Sequence, residues 1–308
     1  MNKIKIALVG IGKIARDQHV PAIKANAAFE LVAAASPNHK LDGVRNFDTL
    51  QSLLDAMPDV DAVSVCTPPQ VRYEIARYAL EQGRHVLLEK PPGATLNEVS
   101  ALLEVAAAQN VALFATWHSR EAAAVERARQ WLASRQVLRA LVTWKEDVRV
   151  WHPGQTWIWK AGGLGVFDPA INALSIITRI LPGHLVLRDA ELSFPSNCET
   201  PIAAQLLLNN EHGAQVRMDL DFLQTGPQTW DIEVETNDGR LVLSKGGSLM
   251  RINDEPVFEA PEREYPNLYA QFETLVRHRQ LDVDVTPLRL VADAFLCGRR
   301  VIVAPFSE

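Results

Sequence analysis

The chain reads as an α/β protein: a doubly wound parallel sheet, then a second α/β domain with an open, mostly antiparallel sheet. Three observations predict this. Up to about residue 118, short and nearly all-apolar runs alternate with helical patterns, as in a parallel sheet covered on both faces. From Leu185 onward, alternating runs follow one another with no helix between them, which means antiparallel pairing. At 308 residues, 47% hydrophobic and 22% charged, the chain has the length of about two ordinary globular domains. The boundary is set at 1–118 and 119–308, with the last helices free to pack back on the first domain.

In the first domain the expected strands are Lys3 to Gly10, Phe29 to Ser36, Asp61 to Thr67, His85 to Lys90 and Val111 to Trp117. Helices are expected over Ala15 to Ala25, Thr49 to Asp55, Val71 to Gln82 and Leu96 to Asn110. The last opens on a capping box, Thr95 with Glu98 three residues later. In the second domain a helix (Glu121 to Leu132) leads to a strand (Arg139 to Lys145), a tryptophan-rich loop and a helix over Asp168 to Leu181. Strands follow at Leu185 to Phe194, Ile202 to Asn209, Gln215 to Phe222, Asp231 to Thr236 and Arg240 to Ser244. Asn237-Asp238-Gly239 marks a hairpin turn, since these residues tolerate positive φ. Two helices, Leu268 to Gln280 and Leu288 to Val301, complete the pattern, the second opened by Pro287.

The formal net charge of −6 argues against a nucleic-acid or anionic-membrane partner, because phosphate binding needs a basic field. Three scattered cysteines (Cys66, Cys198, Cys297) form no CxxC pair, and the eight histidines form no HxH or HxxxH cluster, so no metal site is expected. An odd, dispersed cysteine set fits a reducing compartment. With no signal-peptide pattern and no apolar run of membrane length, a cytoplasmic protein is expected.

The first strand runs into Gly10-Ile11-Gly12-Lys13-Ile14-Ala15, a GxGxxA sequence that opens a helix. Gly10 permits the tight turn, and Gly12 lets backbone approach a pyrophosphate. Ala15 allows close helix–strand packing, while the helix N-terminus offers amide donors to the phosphates, so the backbone at Lys13 and Ile14 belongs to the site. A lone GxGxxA is a weak signal; its place in a strand–helix–strand unit turns it into a dinucleotide fingerprint and makes the domain Rossmann-like. NAD sites place Asp or Glu at the end of the second strand to hold the ribose diol. Here Ser36 stands there, followed by Pro37, Asn38, His39 and Lys40. Without a carboxylate to repel a 2′-phosphate, and with Ser36 and Asn38 as donors, the loop predicts that NADP is accepted, with NAD also usable.

The combination of GIGKIA, CTPPQVRY (Cys66 to Tyr73) and LLEKPPG (Leu88 to Gly93) resembles the Gfo/Idh/MocA oxidoreductases. Within that family the segments ARDQHVPAI, FATWHSR, WKEDVR, WHPGQ and GGLGVFDPAINALS are most similar to sugar 1-dehydrogenases that oxidise L-arabinose and D-galactose at the anomeric carbon. The resemblance implies a Rossmann domain plus an α/β substrate domain, with Thr67, Pro68, Glu89 and Lys90 flanking the cofactor, and a homodimer. Many members carry Asp and, four residues on, a His for acid–base work; here the pair is Asp168 and Asn172. Both would face one side of a helix. An amide orients a hydroxyl but cannot act as base, so proton transfer falls to Lys90 or Asp168. A lysine serves as base only where burial or nearby positive charge disfavours its ammonium form. Read locally, Asp168-Pro169 is a helix cap; the family match favours catalysis.

Trp144, Trp151, Trp157 and Trp159 cluster with Glu146, Asp147 and His152. Pyranose rings offer apolar C–H faces to aromatics and hydroxyls to charged acceptors, so the mixture suits a sugar; a core or oligomer contact is the plainer alternative. The family match adds His118, Glu146 and Trp230 to Trp151 and His152 as substrate contacts, with Asn172 as a hydroxyl-orienting amide. Two rival activities keep the same fold: an NAD-dependent glycosidase, and a non-catalytic sugar sensor that holds a dinucleotide.

Overall fold

The computed structural model describes residues 2–307. The chain divides into two compact units, one running to His118 and resuming over Tyr265–Val285, the other made of Ser119–Glu264 and the residues from Thr286 on. The second domain is therefore not the continuous stretch 119–308. The reason lies in the apolar face of one late helix, described below.

In the first unit the strands are β1 (Ile4–Val9), β2 (Phe29–Ala35), β3 (Arg45–Phe47), β4 (Ala62–Val65), β5 (His85–Leu88) and β6 (Leu113–Ala115). With the late strand β15 (Leu281–Asp282) they form a seven-stranded sheet in the order β15-β6-β5-β4-β1-β2-β3. Every pairing in it is parallel. Alternate residues of β1 feed two cores, as a strand buried on both faces requires. Ala7 and Val9 join α2 (Leu50–Ala56), α3 (Pro69–Glu81) and α4 (Leu96–Gln109) on one side. Ile4, Ile6 and Leu8 join α1 (Val20–Ala25) and α8 (Glu264–His278) on the other. Tyr265, Leu268, Tyr269, Phe272, Leu275 and Val276 are the buried stripe of α8; that stripe completes the first core and draws the segment out of the second unit. The capping box at Thr95 is formed, with Thr95 accepting from the Glu98 amide at 3.2 Å.

The expected helix over Ala15 to Ala25 is two segments. A π-helical turn, Ala15–His19, precedes α1, and its leading residue Ile14 makes no side-chain cap.

A 3₁₀ turn (His118–Glu121) and then α5 (Val125–Leu132) replace the expected helix start at Glu121. The strands of the second unit are β7 (Val137–Lys145), β8 (Leu185–Pro195), β9 (Ala203–Asn210), β10 (Gln215–Asp221), β11 (Thr229–Thr236), β12 (Gly239–Ser244), β13 (Leu249–Ile252), β14 (Glu255–Glu259) and β16 (Arg299–Val303). They pair in the order β14-β13-β12-β11-β7-β10-β9-β8-β16. Only β7–β10 and β8–β16 run parallel. After the one-turn helix α6 (Val148–Trp151), α7 (Phe167–Ile180) packs between α5 and α9 (Thr286–Cys297) and lies against β7 and β11. The outer positions of the sheet hold paired charges such as Arg139 and Glu235 (2.6 Å). The last helix ends at Cys297 instead of continuing to Val301. Gly298 sits where a Cβ would meet the Ala294 carbonyl at 2.5 Å, and the β-branched run after it pairs with β8.

Candidate active site

The carboxyl ends of β1 and β4, where strand order reverses, carry the two turns that matter most in the first unit. Gly10 adopts φ +87°, and a Cβ there would lie 2.8 Å from the Thr67 methyl and 2.9 Å from the Thr67 amide nitrogen, so only glycine fits. Gly12 is exposed, and a Cβ on it would meet nothing within 4 Å. The protein itself gives no reason for glycine at that point; a ligand approaching the backbone does. Lys13 and Ile14 are exposed beside it, and the Thr67 hydroxyl oxygen is buried with no hydrogen-bond partner among the described residues. This set fits a dinucleotide: glycine backbone and the start of the helix for the pyrophosphate, Thr67 and Pro68 beside the ring end.

At the end of β2, Ser36 is half-buried, its amide donating to Phe47 O at 2.9 Å, while Pro37, Asn38, His39 and Lys40 are exposed. A guanidinium reaches this loop from outside it. Arg16, one helical turn past Gly12, donates to the Lys40 carbonyl at 2.8 Å. No sequence pattern local to the loop could have shown it, because the arginine comes from the preceding helix.

The turn of the EKP element is fixed from inside. Glu89 is 3% exposed, and its carboxylate turns inward. Oε1 accepts from His19 Nε2 at 2.9 Å and from the Tyr265 hydroxyl at 2.7 Å, while Oε2 accepts from the Lys90 amide at 2.8 Å. Nδ1 of His19 meets the Tyr269 hydroxyl at 2.7 Å, and that hydroxyl donates to Ser64 Oγ at 3.2 Å. Burial alone would disfavour both charges. For Glu89 the hydrogen bond and charge of His19, the His118 charge and the Tyr265 hydroxyl outweigh it and hold the carboxyl well below its usual range. For His19, Cys66, Tyr269 and the Glu89 bond outweigh burial and hold the imidazole well above its own. The result is a buried ion pair. Arg72, also buried, donates to the carbonyls of Thr67, Glu89 and Pro91, so it spans the Thr-Pro turn and both sides of Lys90. Lys90 is half-buried, and its peptide bond to Pro91 is cis. His118 stacks on Tyr265 with ring centres 5.4 Å apart. Glu89 thus sits beside the cofactor turn with its carboxylate enclosed.

The second unit holds a separate constellation. Glu146, 2% exposed at the end of β7, receives Trp230 Nε1 on Oε2 at 2.9 Å and faces His152 Nε2 at 3.2 Å with Oε1. Trp230 lies between Trp144 (5.9 Å, stacked) and the exposed Trp151 (4.9 Å, tilted). His152 rests against Phe222, and its buried Nδ1 makes no hydrogen bond among the described residues; Asp168 Oδ2 is 3.8 Å away. Asp168 is 3% exposed in the first turn of α7 and is not its cap: Val166 holds that place, with no side-chain bond. Asn172, one turn on, is half-buried. The structure thus joins Glu146, Trp151, His152, Trp230 and Asp168; Trp159 packs edge-on against Phe222, the ring that His152 also rests on, and against Phe306 at 5.0 Å.

The description of an oxidoreductase family with an NAD-binding Rossmann fold matches residues 4–116. Galactose 1-dehydrogenase of Pseudomonas fluorescens is 47% identical over 310 aligned positions, covering 100% of both chains. The chain belongs to the Gfo/Idh/MocA oxidoreductases. Among solved members, the D-galactose-1-dehydrogenase protein from Rhizobium etli superposes with a TM-score of 0.96 at 52% identity, over 100% of this chain and 99% of that one. A 3-ketoreductase from Actinomadura kijaniata, solved with NADP and TDP-benzene, matches over 98% of this chain and 100% of its own at a TM-score of 0.86. At 18% identity that match speaks for the fold alone.

Where helical spacing offers Asp168 only the Asn172 amide, an imidazole comes to it from the tryptophan-rich loop, His152 Nδ1 lying 3.8 Å from Asp168 Oδ2. The residue the sequence reading missed altogether is His19. Its signal was its position: Ala15, His19, Ala22 and Ile23 form one buried stripe at helical spacing, which puts a histidine on an apolar face. Among the described residues no cluster of His, Cys, Asp or Glu could hold a metal ion, and no helix is long and apolar enough to cross a membrane.

Proposed function

We propose that the protein is an NAD(P)-dependent aldose 1-dehydrogenase that oxidises the anomeric carbon of D-galactose, L-arabinose or both to the aldonolactone. The observation that carries this reading is the 47% identity with galactose 1-dehydrogenase over the whole chain. The Glu146 constellation agrees with it, since a carboxylate braced by an indole and an imidazole beside exposed Trp151 suits a pyranose.

A bound nicotinamide ring supplies the hydride acceptor for C1. The chain's own task is the proton. In this reading the proton is handled by Lys90 and Asp168, Lys90 Nζ accepting it from the anomeric hydroxyl. His118, Glu146, Trp151, His152, Asn172 and Trp230 hold the ring and its hydroxyls. L-Arabinopyranose and D-galactopyranose share their ring hydroxyl arrangement and differ by one exocyclic hydroxymethyl group, so a site that reads the ring takes both. Ser36 and Asn38, with Arg16 drawn to the same loop, support use of NADP alongside NAD. The protein would work in the cytoplasm as a homodimer, the mass of which light scattering would read.

A panel of aldoses with each dinucleotide tests the reading. Expected are reduced cofactor with galactose or arabinose and comparable kcat/KM for NADP and NAD. Sugar released from a glycoside without net reduced cofactor would establish the glycosidase instead; tight sugar binding without turnover would establish a sensor.

A further inference from the structure

We infer that His19 and Arg72 are positioning residues that clamp the backbone at Lys90, His19 through the Glu89 carboxylate and Arg72 through the flanking carbonyls. The inference rests on the proposed role of Lys90. Three main-chain groups around Lys90 are engaged by one of two buried cations or by what they hold, while the Glu89 amide stays in the sheet, donating to the Val65 carbonyl at 3.1 Å. The Lys90 amide donates to Glu89 Oε2 at 2.8 Å, and the carbonyls of Glu89 and Pro91 accept from Arg72. The other carboxylate oxygen is tied to His19 and Tyr265.

The placing of these groups gives the clamp its reach. His19 closes the π-helical turn that follows the glycine-rich loop, and wide turns of that kind recur at functional sites. Its ring is held edge-on by Tyr265 (4.9 Å) and Tyr269 (5.8 Å) from α8 and faces Ser64 and Cys66 of the β4 strand end. Glu89 comes from the end of β5, and His118 adds its charge from beyond β6. One buried network therefore ties the phosphate-binding turn, the Thr-Pro turn and the Lys90 segment together. A burial of charge this complete is costly as a stability device, since an apolar replacement packs as well or better. What it supplies is a fixed geometry, and a displacement of about 1 Å at a reacting group costs about a hundredfold in rate.

The test compares His19→Asn, Glu89→Gln and the double variant His19→Asn/Glu89→Gln with the wild type. Hydrogen exchange of the Lys90 amide is read directly, because Pro91 and Pro92 contribute no amide to that peptide. Turnover is read with galactose and arabinose from pH 5 to 9. In His19→Asn, Lys90 exchange should quicken and kcat should fall at least about tenfold, with the sugar KM within about threefold. An acid limb should also enter the pH profile, because the lone buried carboxylate now protonates readily. The double variant, with an amide pair in place of the charges, should recover most of both and lose the limb. Glu89→Gln, nearly isosteric, carries the test if His19→Asn does not accumulate: its Lys90 amide should exchange faster than in the wild type. Unchanged Lys90 exchange and kcat in the single variants would overturn the clamp, as would a double variant no better than His19→Asn. If the wild type oxidises no aldose, the functional reading fails on its own, and the exchange measurement still decides the clamp.

Discussion

Each unit of the protein contains a histidine set against a buried glutamate that a ring donor also grips, and the two differ in one respect. In the first, His19 is bound at both nitrogens, to Glu89 and Tyr269, and is wholly enclosed. In the second, His152 touches Glu146 through Nε2 only; its side chain keeps 17% exposure and its Nδ1 makes no hydrogen bond among the described residues. The same three chemical groups thus serve two ends. Satisfied on every side, the first is sealed; the second keeps one imidazole nitrogen without a hydrogen bond among the described residues, beside an exposed indole.

The comparison is tested hardest at Lys90, which belongs to neither triad. Lys90→Ala leaves both pairs in place and should still lower kcat by at least about a hundredfold, the scale of a lost general base. Steady-state turnover near the wild-type value would leave the first triad with nothing to position. Next in size is Glu146→Ala, which strips Trp230 and His152 of their shared acceptor. Leaving such groups unpaired costs about 2 kcal/mol, so the sugar KM should rise roughly thirtyfold while dinucleotide affinity, measured by titration calorimetry, stays put.

The sealed pair should also show itself in stability against pH. Glu89, held low, contributes above the unfolded carboxyl value of about 4.3 and loses that contribution as pH falls through its folded value. His19, held high, contributes fully below the unfolded value of about 6.5 and loses it as pH rises through its folded value. The gap in Tm between wild type and His19→Asn/Glu89→Gln should therefore be widest between about pH 4.3 and 6.5. The smallest effect calibrates the others. Thr95→Ala removes the cap of α4, outside both triads, and should cost about 1 kcal/mol in urea denaturation with kcat unchanged.

Much of the fold was legible because β1, β4 and β5 are nearly all apolar, broken only by Lys5, Ser64 and His85. The strands that escaped notice lacked that mark. β3 is Arg45-Asn46-Phe47 and β15 is Leu281-Asp282, short edge pieces whose pairing owes more to neighbours than to pattern. β14 contains Pro256, and β16 follows a helix so closely that its valines continue the helical spacing. In the site, the glycines, Thr67, Lys90 and Glu146 announced themselves through motif or chemistry. His19, Arg16 and Arg72 did not, because each acts on a partner that the chain supplies from another element: Arg16 bonds a residue 24 positions away, and His19 a tyrosine 250 positions away. Such meetings leave little local trace, for His19 no more than its place on an apolar helical stripe.

The late return of α8 has a consequence for synthesis. While the ribosome holds a nascent chain of 118 residues, the sheet has all its strands but β15, yet Tyr265, Tyr269 and Phe272 have not been translated, and one side of that sheet lacks all of its α8 cover and keeps only α1. The first unit must wait for nearly the whole message to be read before it can close, so a fragment cut at His118 should be a chaperone client and not a free-standing nucleotide binder.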